Sequence, residues 1–145
     1  MRLNLQSDYA LRLLTHLAIH RDRLVTVAEV ASRFRISQNH LMKVAHLLGR
    51  AGFIETVRGR SGGLRLAGDP ATIRVGDVVR QMEGDIHLVE CFAAESDSCL
   101  ISGACRLKGV LHEALEAFLA VLDRYTLADL SVNPKLRQLL RKEAA

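Results

Sequence analysis

The chain has three cysteines, Cys91, Cys99 and Cys105, and all of them lie in one short stretch, CFAAESDSCLISGAC. An odd thiol count in a chain with intracellular character argues against a disulfide framework and for a metal, a cluster or reactive thiols. The spacing Cys-x7-Cys-x5-Cys lacks the CxxC pairs of a structural zinc site. Neither His87 nor His112 stands at the usual zinc-ligand spacing. The tight C-x2-C runs of ferredoxins are also absent, which sets an electron carrier aside. Spaced thiolates on a loop containing Ser, Gly and Ala can wrap an iron–sulfur cluster, bind zinc or act as redox thiols. With a cluster, three positions would be protein sulfur and a further donor would be needed. Spacing alone leaves these three chemistries open.

A second set of residues suits a polyanion. Ser37, Gln38, Asn39, His40 and Lys43 form the polar start of a segment whose apolar positions are Leu41, Val44, Ala45 and Leu48. Gln and Asn can bond adenine through two hydrogen bonds, and Lys can bond guanine or phosphate. Arg58 and Arg60, with Ser61, belong to the glycine-rich run RGRSGG, and guanidinium suits a narrow minor groove. Arg33 and Arg35 precede the polar segment and can hold phosphates. The charge agrees. Residues 1–70 carry 11 Lys/Arg against 5 Asp/Glu, and residues 71–145 carry 9 against 11. A basic half points to nucleic acid.

Elements must position these groups. Ser7 reads as the cap of a first helix over about 8–20, with its apolar face at Ala10, Leu13, Leu14, Leu17 and Ala18. Thr26 and Glu29 form a capping box for a second helix, running to about Phe34. Arg35 and Ile36 make a short turn, Ser37 caps the third helix, and Gly52 stops it. Two short helices with such a turn make a helix-turn-helix. FIETV and LRL, around the glycine-rich tip, make a β-hairpin, so the unit is a winged helix. VGDVVRQME predicts a helix over 75–83. A long helix starts around Cys105, with Leu107, Leu111, Ala114, Phe118, Val121 and Tyr125 at heptad spacing. That stripe predicts packing on another helix, in a second copy of the chain. A last short helix ends near Lys142.

The fold class expected is mainly α with a small β-hairpin wing: a winged helix-turn-helix domain plus a long dimerisation helix. The division is 1–83 for the winged helix, 84–105 for the cysteine loop, and 106–145 for the dimerisation and C-terminal helices. Hydrophobic residues make up 49% and aromatics 4%, with no Trp, so Leu, Val, Ile and Ala must build the core. There is no run of about 18 apolar residues and no cleavage site behind an apolar N-terminal run, so a cytoplasmic chain without a membrane partner is expected. No set of acids, bases and nucleophiles accompanies the thiols, which argues against an enzyme.

The segments SDYALRLL, SQNHLMKVAHLLGRAGFIETVRGRSGGLRL, VGDVVRQME, C-x5-CRLK and FLAVLDRYTLADL cover nearly the whole chain. In them it resembles the iron–sulfur winged-helix regulator family that includes IscR, and most of all that family's nitric-oxide-sensing repressors. The resemblance implies a homodimeric repressor on a pseudo-palindromic double-stranded DNA operator. It implies one [4Fe–4S] cluster per subunit, held by Cys91, Cys99 and Cys105, whose nitrosylation by nitric oxide releases the DNA. It also implies Asp8 as the fourth ligand, from its own or the partner subunit. IscR-type members place a His three residues after the third Cys, and here that position is Lys108. Two alternatives stand beside this one. One is a [2Fe–2S] regulator of redox state or cluster supply. The other is a zinc-stabilised winged-helix interaction module.

Overall fold

The computed structural model describes residues 1–142. Helix α1 spans Leu5–Ile19, α2 Val27–Phe34 and α3 Gln38–Arg50. Strands β1 (Ile54–Val57) and β2 (Gly63–Leu66) form an antiparallel hairpin with Ile54 opposite Leu66 and Val57 opposite Gly63. Helix α4 spans Val75–Glu83, α5 Arg106–Asp123, α6 Leu127–Ser131 and α7 Pro134–Arg141. The winged helix is therefore present, mainly helical as the periodicity predicts.

The start of α1 differs from the sequence expectation. Asn4, not Ser7, is the cap: its side chain accepts from the Ser7 N–H at 2.7 Å. Both residue types cap well, and the choice is made from the far end of α4. Glu83 accepts hydrogen bonds from the Asn4 N–H, at 2.8 Å, and from the buried Ser7 hydroxyl. The Asn4 side-chain amide also donates to the Met82 carbonyl at 3.1 Å. At α2, Thr26 accepts from the Glu29 N–H at 3.1 Å, but the Glu29 carboxylate turns to Arg23 and His16 instead of completing a capping box.

The turn before α3 forms because Arg35 adopts a left-handed conformation, φ 54°. The Ile36 N–H then returns to the Ala31 carbonyl at 2.9 Å. Ile36 is buried, which anchors the turn. The wing is tied to the same unit: Val25 and Leu64 exchange backbone hydrogen bonds of 3.0 and 2.7 Å. Its tip needs glycine. A Cβ on Gly62 would stand 2.1 Å from the Val57 carbonyl oxygen.

Two apolar clusters hold the chain. The larger gathers Leu13, Leu14, Leu17, Val30, Leu41, Val44, Leu48, Ile54 and Leu64 from the winged helix, with Leu127 from α6. The smaller joins Val75 and Val79 of α4 to Leu115 and Leu119 of α5. Helix α4 serves both, because Val78 and Met82 belong to the first cluster. Arg80 grips Asp123 at the end of α5 through two hydrogen bonds, 2.6 and 2.8 Å. That pair holds the Asp123 carboxyl below its ordinary range.

After α5 the chain turns back. Leu127 is fully buried against α1, and Arg141 donates to the Ile19 carbonyl at 3.2 Å. Thus α5 builds the second cluster while α6 and α7 close over α1. Residues 143–145, the last of the third expected segment, lie outside the described residues. Most of the heptad stripe of α5 is left outside the apolar clusters, with Leu111 half-buried. Its inward face is Leu115, Leu119 and Leu122, and Leu107, Phe118, Val121 and Tyr125 of the stripe are exposed. Among the described residues no helix is long and apolar enough to cross a membrane.

Candidate nucleic-acid interface and thiol loop

Helix α3 buries Leu41, Val44, Ala45 and Leu48 and turns its other side outward. Ser37, Gln38, Asn39, His40 and Lys43 are all exposed at its start. Ser37 accepts from the His40 N–H at 3.4 Å, so its hydroxyl serves the helix end. The outer face also carries Met42, His46 and Arg50, which sequence reasoning passed over. Their signal was available, since Met42 and His46 follow Asn39 at helical spacing. Met42 is 54% exposed, unusual for an apolar side chain, and apolar contact suits a thymine methyl group.

Arg35, Arg58, Arg60 and Ser61 are exposed as well. Among the described residues, Arg35, Lys43, Arg58 and Arg60 have no carboxylate within salt-bridge distance. Other surface cations do have partners, such as Arg65 with Glu55 at 2.9 Å. Positive charge is thus left uncompensated along α3 and the wing tip, as a phosphate-binding face requires. Arg33 is the exception. Its guanidinium donates to the Lys142 carbonyl beyond α7, and its Nε is buried without a partner. Arg33 is half-buried, with this contact at the surface.

The thiol loop, residues 84–105, runs between α4 and α5 with only two 3-10 turns, Glu90–Phe92 and Ser102–Ala104. Cys91, Cys99 and Cys105 are free and half-buried, outside both apolar clusters. Cys105 stands at the N-cap of α5, where the helix dipole favours negative charge. The middle of the loop is pinned by Asp97, which accepts from the Cys99 N–H at 3.2 Å and from the Ser102 hydroxyl. Lys108 donates to Ser102 at 3.0 Å and lies 3.5 Å from Asp97. These partners, Ser102 foremost, hold the Asp97 carboxyl below its ordinary range. An open cavity of about 500 Å³ beside the loop is lined by Cys91, Phe92, Asp97, Lys108 and His112, among others.

The structure does not draw the three sulfurs together around one point. Among the described residues, the group of three potential ligand atoms mutually within 4.8 Å is His16, His20 and Glu29, not the cysteines. A single zinc ion with bonds near 2.3 Å needs sulfurs roughly 3.8 Å apart. A cluster spreads its thiolates over several irons and needs no such convergence. Three free thiols on an irregular, half-open loop are a donor set that a cluster can use. Asp8 is engaged elsewhere: Arg12 donates to its carboxylate at 2.9 and 2.6 Å. This pair is an i,i+4 bridge with both side chains more than 40% exposed, which holds the carboxylate weakly.

His16, His20 and Glu29 went unremarked as a group in the sequence. His16 is fully buried, and its Nε2 lies 3.2 Å from Glu29 Oε1. Burial lowers its pKa from 6.5 to about 4. Glu29 is held at about 2, chiefly by hydrogen bonds from Arg23.

Residues 3–133 match the family model Rrf2, described as an iron-dependent transcriptional regulator. The HTH-type transcriptional regulator NsrR of Shouchella clausii is 52% identical over 143 residues, 97% of this chain and 96% of the relative. The protein of the same name from Bacillus subtilis is 52% identical over 134 residues, 92% of each. Among solved structures, IscR of T. potens superposes with a TM-score of 0.70 at 28% identity, over 90% of this chain and 85% of that one. Oxidized CymR of Staphylococcus aureus gives 0.74 at 26% identity, over 92% and 98%.

Proposed function

The chain belongs to the Rrf2 family of transcriptional regulators, and from that premise we propose that it is a repressor releasing operator DNA in response to nitric oxide, through an iron–sulfur group on its thiol loop. The observation that carries this reading is the placement of all three free thiols on residues 84–105, directly between α4 and α5.

Cys91, Cys99 and Cys105 would hold a [4Fe–4S] cluster, with Asp8 as the further donor once Arg12 gives it up. Bound there, the cluster supplies iron that nitric oxide attacks. A hard carboxylate is a weaker partner for such iron than a thiolate, and so the more readily released. Lys108 supports this reading over the [2Fe–2S] alternative, because it is tied to Asp97 and Ser102 and offers no imidazole.

The chain's own residues connect loop to DNA. The loop begins one residue past Glu83, whose carboxylate holds the first turn of α1. Helix α1 shares the larger apolar cluster with α3. A loop held through Asp8 and the thiols fixes α1 at both its first turn and its cap. A released loop leaves only the cap. The exposed stripe Leu107, Phe118, Val121 and Tyr125 is covered by a second copy of the chain, which spaces two α3 helices for a pseudo-palindromic site.

The test is an anaerobic absorption and native mass spectrum before and after nitric oxide titration, paired with an operator gel shift. Four irons and four sulfides per chain, bleaching by nitric oxide and parallel loss of operator binding are expected. A chain without iron and sulfide, or operator binding indifferent to nitric oxide, refutes the proposal.

A further inference from the structure

We propose that His16, His20 and Glu29 form a second metal site, for a divalent cation of the zinc class, at the junction of α1 and α2. One ligand atom from each lies within 4.8 Å of the others. The separation of His16 Nε2 and Glu29 Oε1, 3.2 Å, is already close to one edge of a zinc tetrahedron, roughly 3.3 Å for bonds near 2.0–2.1 Å. His16 and His20 are one helical turn apart, and their rings stack with centroids 4.2 Å apart. His20 Nδ1 lies 2.9 Å from the His16 carbonyl oxygen, so the Nδ1–H donates there and leaves Nε2 as the free lone pair. Metal-binding histidines are commonly oriented by such a bond. His16 is wholly buried, so little water competes for its Nε2 beside Glu29. Two imidazoles and one carboxylate suit zinc and its neighbours, with a fourth position left for water.

Arg23 now stands in the cation's place. It donates to Glu29 at 2.9 and 2.6 Å, and its side chain is 43% exposed. The guanidinium sits at the rim, so it can turn to solvent when a metal takes over its carboxylate. Metal entry exchanges one cation for another at the same carboxylate. The bound ion would tie the last turn of α1 to the first turn of α2, the leading helix of the helix-turn-helix.

The experiment uses the full chain with Cys91, Cys99 and Cys105 replaced by serine, so that the thiol loop cannot take the metal. Those side chains lie outside both apolar clusters. Wild-type chain with alkylated thiols provides a second route should the triple variant not fold. Zinc is titrated against a chromophoric chelator. One zinc per chain is expected, with affinity falling about tenfold or more in His20→Gln and in Glu29→Gln. No zinc uptake, or uptake unchanged by both substitutions, overturns the proposal. Neither outcome depends on whether the loop carries iron.

Discussion

Glu83 offers the most direct test of how the thiol loop reaches the DNA-binding helices. Its carboxylate receives the Asn4 N–H and the buried Ser7 hydroxyl, and the loop starts at the next residue. Hydrogen bonds to charged groups contribute roughly 1.5–3 kcal/mol each, less where water competes. Counting the Ser7 bond in full and the exposed Asn4 bond at a discount puts Glu83→Ala at about 3 kcal/mol of lost stability. Glu83→Gln keeps an acceptor oxygen and loses the charge, for about 1 kcal/mol. Urea unfolding of the metal-free chain measures both. The consequence for function is separate. Coupling between two sites is typically on the order of 5- to 150-fold in affinity. Operator affinity with and without the loaded loop gives that ratio for the wild type. In Glu83→Ala the ratio should fall, since Asp8 alone is left to connect loop and helix, while iron per chain stays unchanged because no thiol is touched. A variant that loses stability but keeps the wild-type ratio would refute the relay through α4 and α1.

Lys43→Ala and Arg60→Ala should each weaken operator binding and lower the slope of log affinity against log salt by about 1, measured by gel shift at several salt concentrations. Phe118→Asp places a charge in the exposed stripe of α5 and should shift the chain toward monomer in sedimentation velocity; an unchanged dimer removes that stripe as the interface. His16 has a pKa of about 4 folded and 6.5 ordinarily, so between these values the unfolded chain binds more protons. Its contribution is complete above about pH 6.5 and is lost as pH falls toward 4, by roughly 2 kcal/mol between pH 7 and 5. Metal-free wild type should show that loss in urea unfolding, and His16→Gln should not.

Much of this was legible in the sequence because the signals were local. Thr26, Ser37 and Gly52 mark helix ends by side-chain chemistry that acts within a few residues. Helix α4 matched its expected bounds. Local signals fall short where a distant partner decides. Asn4 and Ser7 are equally good caps, and Glu83 chooses between them from 79 and 76 residues away. No local signal announces the contact of Arg33 with the Lys142 carbonyl. Helix α5 has two leucine-bearing faces, and periodicity does not say which one its own protomer takes. His16 passed as one more position on a helix, since burial and a carboxylate on the next helix give it meaning.

Helix α4 also has a mechanical consequence. Val78 and Met82 are seated in one cluster, Val75 and Val79 in the other, and the Arg80–Asp123 clasp bars rotation from a third side. Rolling this helix about its axis would unseat apolar groups on both flanks at once. Sliding along the axis is opposed too, because the Val75 N–H donates to the Tyr125 carbonyl at 2.9 Å and Arg74 bridges Thr126. Helix α4 is therefore built as a keystone: wedged on both flanks and pinned at its start, it sets the distance between the loop and the Asn4 cap.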